Sequence, residues 1–492
     1  MELLTSKVNI RWLKILNAFE RRNELTTAEL SDITEATTRT VVSDISSIKS
    51  YFGDSMSIES RNSGYRFIEL LPEEYTIKKR EILDDEPLFT IITAIFLGEN
   101  RRSIDWADKL YRSNKSMMII LKKLQEIVKE YGFKLTYNPV DFVGSEQNIR
   151  KFFLDFFYEG DVTPHTLTPS ISIQNIVREF SVIYEQNKPI VIQFSKFCYL
   201  LLIMFKRRQY KDDVTFSKEI RKKVKEDIDF KYVEKLNEII LKTEQFTLSE
   251  NELIYLMILW ITNRNIEDVE ASNQYIQNYM NNPLLLEFSN DYCKMAEIEL
   301  DDNQAVFIQA FFLSYYLKNL LSPAYIRNLS DITVYVKKYY AAELQANYDF
   351  FKTNPNFKLI FKKKIAFDLA VNLTLFMDSL KKTYQFKRKN VGFLLEGNQN
   401  MCLNIWATAS KCLGSYHNLY FLDVQTFTEE FIKKNKIDFI VTNYSDYVSN
   451  QVFKMNYILF KSIPTPEDWK SVLYKMGPST ILGKALDVDA DK

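Results

Sequence analysis

The chain has 492 residues, 46% hydrophobic and 26% charged, which suits about three domains of ordinary globular composition, or up to five smaller ones. Eleven glycines and 12 prolines are too few for a turn-dense all-β architecture, so mostly helical structure is expected. Lys plus Arg and Asp plus Glu both total 64; the zero net charge argues against a blanket polyanion binder while leaving room for a local basic face.

The longest apolar runs, Tyr199 to Phe205 and Leu253 to Ile261, are the size of core helices and too short to cross a bilayer. The start, Met1 to Lys7, has no basic segment followed by an apolar stretch, so no signal peptide is expected. Cys198, Cys293, Cys402 and Cys412 form no CxxC, and His165 and His417 are the only histidines. No metal site and no cofactor are expected from that set, and a reducing, cytoplasmic setting fits it. Histidine-based catalysis would have to use one of those two residues, and neither stands in a nucleophile context.

Lys7 to Arg22 predicts a helix with Ile10, Leu13 and Leu16 on one side, ended by Asn23-Glu24. Thr26-Thr27-Ala28-Glu29 is a capping box and opens a short helix holding Leu30 and Ile33. After the tight connection Thr34-Glu35-Ala36 comes a second helix, Thr37 to Phe52. Its Val41, Ile45, Ile48 and Phe52, spaced 4, 3 and 4, make one buried stripe. The opposite side carries Thr38, Arg39, Ser43, Ser46 and Ser50, small and polar. Met56 to Glu59 and Tyr65 to Ile68 predict two strands joined by Arg61-Asn62-Ser63-Gly64.

That order is a winged helix-turn-helix. The polar helix face can enter a major groove, and a wing with Arg61 and Arg66 can touch flanking backbone. Small hydroxyl residues permit close approach, and Arg39 can reach guanine or phosphate. Local charge adds nothing, since residues 1–70 hold nine Lys/Arg against ten Asp/Glu. An ordinary helical domain whose Ser/Thr face meets water is the competing reading. The ordered series of capping box, short helix, basic helix start and glycine-containing wing favours DNA.

The pattern recurs. Leu88 to Leu97 is an apolar helix closed by Gly98. Ser103 to Trp106 starts a short helix with Trp106 and Leu110 inward. Ser113-Asn114-Lys115-Ser116 opens another, with Met117, Leu121, Leu124, Val128 and Tyr131 as its stripe and Gly132 after it. Two strands follow, Phe133 to Tyr137 and Phe142-Val143. Thr26 to Gly64 and Ser103 to Asp141 both span 38 residues, which points to a duplication. The outer face is here more basic, with Lys115, Lys122, Lys123 and Lys129.

Gly160 to Ser170, with two prolines, predicts a linker, and His165 lies in it as a surface residue. Roughly 215 residues of helices follow, among them Phe194 to Arg208, Glu252 to Asn263, Val306 to Leu321 and Ala366 to Lys382. They hold no metal spacing, phosphate-cradling loop or nucleophile elbow. Phe311, Phe312, Tyr315 and Tyr316 are expected in a core or a subunit interface. Asn281-Asn282-Pro283 predicts an internal boundary.

From Val391 strands and helices alternate. Strands are expected at Val391 to Leu395, Asn418 to Val424, Ile437 to Thr442 and Met455 to Phe460. Helices are expected at Met401 to Leu413, Thr428 to Lys434 and Pro464 to Lys475. The order implies a small parallel sheet. Cys402, just inside a helix start, is expected to be a buried structural thiol. Ala485 to Lys492 predicts a polar tail.

The whole arrangement resembles the Mga/AtxA-type transcriptional regulators of Gram-positive bacteria. The most specific part runs from Leu30-Ser31 through Arg39-Thr40-Val41-Val42-Ser43-Asp44-Ile45 to Gly64-Tyr65. The resemblance implies a mainly α, multidomain fold in five parts. These are winged helices at 1–72 and 73–160, helical domains similar to phosphotransferase-system (PTS) regulation domains at 170–281 and 282–387, and an enzyme IIB-like α/β domain at 388–484. It implies regulation, usually activation, of virulence or carbohydrate-metabolism genes in the cytoplasm. Double-stranded DNA, a second copy of the chain, RNA polymerase and PTS proteins are the implied partners, with no membrane.

The sequence departs from that family in two places. Residues 171–387 contain no histidine, so histidine phosphorylation is impossible there. Glu396 stands where an active enzyme IIB carries Cys or His. Thr38, Arg39, Ser43 and Arg61 are the expected DNA contacts of the first winged helix. Asn114, Lys115, Ser116, Lys122 and Lys123 are those of the second, with the lysines mainly anchoring. No catalytic residue is expected. The competing functions are an RNA-binding antiterminator, which would begin with a small β-rich module, and a phosphotransferase-type protein using Cys402, Cys412 or His417.

Overall fold

The computed structural model describes residues 3–61, 64–84, 86–160, 167–185, 193–209, 214–227, 229–296, 302–361, 363–384, 388–414, 417–423, 425–445, 447 and 455–476. His165, the wing tip at 62–63 and the tail from Ala485 lie outside those residues. The chain divides into two compact units, Met1–Thr374 and Leu375–Lys492.

The first unit opens with α1 (Lys7–Arg21), β1 (Glu24–Leu25), α2 (Thr27–Thr34) and α3 (Thr38–Phe52). Each helix starts where a hydroxyl satisfies an orphan backbone N–H. Ser6 accepts from the Asn9 N–H at 3.2 Å and Thr37 from the Thr40 N–H at 3.2 Å. The capping box is complete: Thr26 accepts from the Glu29 N–H at 3.1 Å, and Glu29 accepts from the Thr26 N–H at 2.7 Å. Val41, Ile45, Ile48 and Phe52 form the buried stripe of α3, whereas Ile33 of α2 points outward.

The wing is β2 (Met56–Arg61) and β3 (Gly64–Glu69), antiparallel, with Ile58 opposite Phe67 and both buried. The sequence pattern missed β1, which adds to the other edge of β3. That pairing explains Gly64: its φ is +142°, and a Cβ there would lie 2.3 Å from the Leu25 carbonyl oxygen. A linking helix, α4 (Pro72–Glu81), also went unpredicted, and it buries only Tyr75.

The second copy is α5 (Pro87–Leu97), α6 (Ser103–Lys109), α7 (Asn114–Glu130), β4 (Lys134–Tyr137), β5 (Val140–Val143) and α8 (Glu146–Leu154). A π-helical turn, Asp155–Glu159, extends α8. Thr26 and Arg102, Glu35 and Tyr111, and Thr37 and Ser113 stand in matching places, each pair 76 residues apart. The expected register was 77. It shifts by one because the second short helix is capped at Arg102, whose N–H donates to Asp105 at 3.1 Å, rather than at Ser103. Trp106 is fully buried as expected and Leu110 is half-buried.

The remaining helices of this unit are α9 (Ile171–Glu185), α10 (Phe194–Arg207), α11 (Lys218–Glu226), α12 (Phe230–Glu244), α13 (Glu250–Ile261), α14 (Val269–Tyr279) and α15 (Pro283–Met295). They continue as α16 (Asp302–Leu321), α17 (Ser330–Tyr339), α18 (Ala341–Thr353), α19 (Phe357–Ile360) and α20 (Ala366–Tyr384), the last crossing into the second unit. Asn282 caps α15, with Pro283 in its first turn. The central α16 packs on α13, α14 and α15, and α10 packs on α5 and α8 of the second winged helix. Phe311 and Phe312 are buried, while Tyr315 and Tyr316 are half-buried.

The second unit holds a four-stranded parallel sheet of β6 (Asn390–Leu394), β7 (Asn418–Phe421), β8 (Phe439–Thr442) and β9 (Tyr457–Leu459), in the order β7-β6-β8-β9. Its helices are α21 (Gln399–Leu413), α22 (Glu429–Lys434) and α23 (Pro466–Met476). Alternation along the strands fills two cores. Val391, Phe393, Phe439 and Val441 pack with Ile405, Leu413 and Val472 on one face. Leu394 and Ile440 pack with Phe427 on the other.

Candidate nucleic-acid interface

Two buried carboxylates set the positions of α3 and of α1, on which it packs. Asp44, buried on α3, accepts from Arg11 of α1 at 2.6 and 3.0 Å through both oxygens. That paired hydrogen bond, together with the carboxylate charge, raises the Arg11 pKa. Fully buried Glu86, just before α5, gathers the start of α1. It accepts from the Thr5 N–H and hydroxyl at 2.7 and 2.8 Å, the Ser6 N–H at 3.2 Å and the Asn9 side chain at 3.0 Å.

With α3 fixed this way, Thr38, Arg39, Ser43, Ser46 and Ser50 are exposed. Arg39 makes no ion pair or side-chain hydrogen bond with any described residue. Val42, 49% exposed, belongs to the same outward surface and was not singled out from the sequence. Arg61 is exposed near the wing tip, and its guanidinium bonds Glu59 at 2.6 Å. Arg66 lies 3.7 Å from Glu24. The wing cations thus stand beside acids, whereas the helix cation is free among the described residues.

In the second copy Ser113 accepts from the Ser116 N–H at 3.2 Å, which orients the first turn of α7. Asn114, Lys115 and Lys122 are exposed, Ser116 is half-buried, and both lysines lack an ion pair among the described residues. Lys123 does not share that freedom. Its ammonium donates to the Leu4 backbone carbonyl and so ties α7 to the segment before α1. Lys123 is exposed all the same, so anchoring DNA, as expected of it, would mean exchanging that carbonyl for a phosphate. Lys129 lies 3.6 Å from Glu126.

Sequence reasoning also passed over Tyr111 and Ile119, 96% and 63% exposed. Tyr111 occupies the turn between α6 and α7 with φ +51°, matching Glu35 with φ +55° in the first copy. An aromatic ring in a left-handed turn position and an isoleucine on the outward face of α7 are surfaces that can meet sugar, thymine methyl groups or bases. The signal available beforehand was periodicity, since Ile119 falls outside the buried stripe.

Residues 76–157 match the family model of the Mga helix-turn-helix domain, and residues 11–66 match a helix-turn-helix domain model. The chain carries an Mga helix-turn-helix domain. It is 24% identical over 257 residues to the capsule synthesis positive regulator AcpA of Bacillus anthracis, covering 51% of this chain and 52% of that one. It is 22% identical over 498 residues to AcpB of the same organism, also named a capsule synthesis positive regulator, covering 95% and 98%. A protein of Streptococcus pneumoniae serotype 4 is 28% identical over 161 residues, 32% of each chain. The chain therefore spans about a third and about half the length of two of these relatives, and nearly all of AcpB.

A second cluster lies at the end of β6 in the α/β unit. Glu396 exchanges two bonds with Asn443 at 2.8 Å each, and its carboxylate accepts from the Tyr447 hydroxyl. Burial and then the Glu396 carboxylate push the Tyr447 phenol up to about 12. Cys402, expected to be buried, is half-exposed, with its thiol 3.6 Å from the Glu396 carbonyl oxygen. It sits at the first turn of α21, whose start is exposed, and that is the physical reason for the difference. Cys412 is exposed further along the same helix. His417 is buried before β7, at the opposite end of the strands, and accepts from the Lys389 N–H at 3.1 Å. Burial, then Arg388 and Lys389, lowers its pKa. The three groups named for phosphoryl transfer are therefore not gathered into one site.

Proposed function

We propose that the protein is a sequence-specific DNA-binding transcription regulator that activates virulence or carbohydrate-metabolism genes, as a cytoplasmic homodimer. One observation carries this reading. Two capped helices present an exposed cation, unpaired among the described residues, at the same place, Arg39 and Lys115, one repeat apart. The names of AcpA and AcpB support the sign of regulation. Thr38, Arg39 and Ser43 read bases; Asn114, Lys115, Ser116 and Lys122 hold phosphates; Arg61 contributes from the wing after exchanging Glu59 for DNA. The division at 1–72, 73–160, 170–281, 282–387 and 388–484 is part of the proposal. So are RNA polymerase and PTS proteins as contacts of the helical and α/β parts.

The test is binding of the full chain to sheared genomic fragments over a salt series, with Arg39→Ala and Lys115→Gln alongside. Salt-sensitive, fragment-selective binding weakened by both substitutions supports the reading. Absence of binding at low salt overturns it.

A further inference from the structure

A cavity of about 570 Å³ lies within the first unit, lined by α8 and its π-helical turn, by α10, α13 and α16, and by the segment between α16 and α17. That volume is typical of small-molecule sites. Leu154, Leu200, Leu256, Leu259 and Ile332 give it apolar walls, and Lys151, Lys196, Lys318 and Arg327 give it cations.

The charges do not balance inside the cavity. Glu159 accepts from Lys151 at 2.7 Å and pairs with Lys196 at 2.8 Å, so one carboxylate is shared by two ammonium groups. Asp155 holds Lys151 from its other side at 2.5 Å. Arg327 is bonded to Glu130 and lies over the Tyr131 ring. Lys318 has no carboxylate and no hydrogen-bond acceptor among the described residues. Its ammonium lies 4.7 Å from the centroid of the Tyr315 ring. Burial, then Lys196, brings its pKa down to about 8 against the opposing pull of the nearby Glu159 carboxylate. Three lysines thus face two carboxylates, in a site where a cation withdrawn from water is costly unless an anion meets it.

We propose that this cavity binds a small organic phosphate ester, with its phosphoryl oxygens on Lys318 and Lys196 and its apolar or ring-shaped body on the leucine wall. Lysines serve phosphate as flexible point charges, and the three terminal oxygens of a phosphate ester can meet two separate ammonium groups at once, where a carboxylate offers two oxygens in one plane. The pocket joins the last helix of the second winged helix to both halves of the helical body, so an occupant would touch all three. Binding is read directly and does not depend on whether the winged helices bind DNA.

The experiment is calorimetric titration of the full chain with 4-nitrophenyl phosphate, 4-nitrobenzoate, 4-nitrobenzyl alcohol and inorganic phosphate. The ester should bind at least tenfold more tightly than each of the other three. Lys318→Met should weaken ester binding at least tenfold while leaving the Tm without ligand equal or higher, since it removes a half-buried charge that has no ion pair among the described residues. If Lys318→Met does not fold, Lys196→Gln carries the same expectation for binding. Equal binding of ester and neutral alcohol, or unchanged ester binding in the variant that folds, overturns the site. Preference for 4-nitrobenzoate overturns the phosphate-ester assignment, and equal binding of inorganic phosphate overturns the role of the apolar wall.

Discussion

The two winged helices share one backbone plan and differ in what surrounds it. In the first copy the helix after the wing, α4, buries only Tyr75 and is held by lysine bonds such as Lys79 to Glu20 and Lys78 to the Phe52 carbonyl. Its counterpart α8 buries Ile149, Arg150, Lys151, Phe152, Phe153 and Leu154. Arg150 makes a two-pronged bond to Glu252 of α13 at 2.6 and 2.7 Å, and Arg207 of α10 makes another to Glu146 at 2.9 and 2.8 Å. The second copy is therefore built into the helical body, while the first keeps a mostly solvated linking helix. The outward faces differ in parallel: hydroxyls around one arginine on α3, and lysines around an isoleucine on α7. A repeat can thus keep its caps and stripe while its surfaces take separate tasks.

The largest expected effect probes the embedding. Glu252→Ala leaves Arg150, 1% exposed, without its main counter-ion. A broken buried pair costs about 3–5 kcal/mol, so the denaturation midpoint should fall steeply. Lys79→Ala in the first copy removes a half-exposed pair and should cost about 1 kcal/mol or less. Equal losses in urea unfolding of the two variants would erase the contrast between the copies.

Next comes base reading. Arg39→Ala should cost about 1–3 kcal/mol on the preferred DNA site, roughly 5- to 150-fold in affinity, and much less on random DNA. Fluorescence anisotropy on both DNAs measures the difference. A uniform loss would move Arg39 from reading bases to holding phosphate, and would make the two copies alike.

Much of this comparison was legible in the sequence, for reasons that are local. Capping boxes, four-three-four stripes and terminal glycines act within a few residues, so α1 to α3, α5 to α7 and the alternating strands of the α/β unit were predicted closely. Pairings across longer distances were not legible. β1 is two residues long and exists because Gly64 lets β3 approach Leu25. Arg150 and Glu252 are 102 positions apart, and nothing in either neighbourhood announces the other. The site residues divide in the same way. Arg39 and Lys115 could be found from the helix start, whereas the bond that holds the Lys123 ammonium depends on a carbonyl 119 residues earlier.

That last pair of neighbours sharpens the comparison at the smallest scale. Lys122 is exposed with no ion pair among the described residues, and Lys123 donates to the Leu4 carbonyl. Each phosphate contact releases counterions and adds about 0.9 to the slope of log K against log salt. Lys122→Gln should therefore reduce that slope by about 1 on every DNA tested and leave the Tm in place. Lys123→Gln should leave the slope unchanged and lower the Tm by a few degrees, because one net hydrogen bond to a charged group is worth about 1.5–3 kcal/mol and some of it survives in the amide. Reversed results would mean that α7 turns its other edge to the phosphates, with Lys123 released from Leu4 on binding. The second winged helix would then be coupled to the start of the first, and the two copies would bind DNA as one unit.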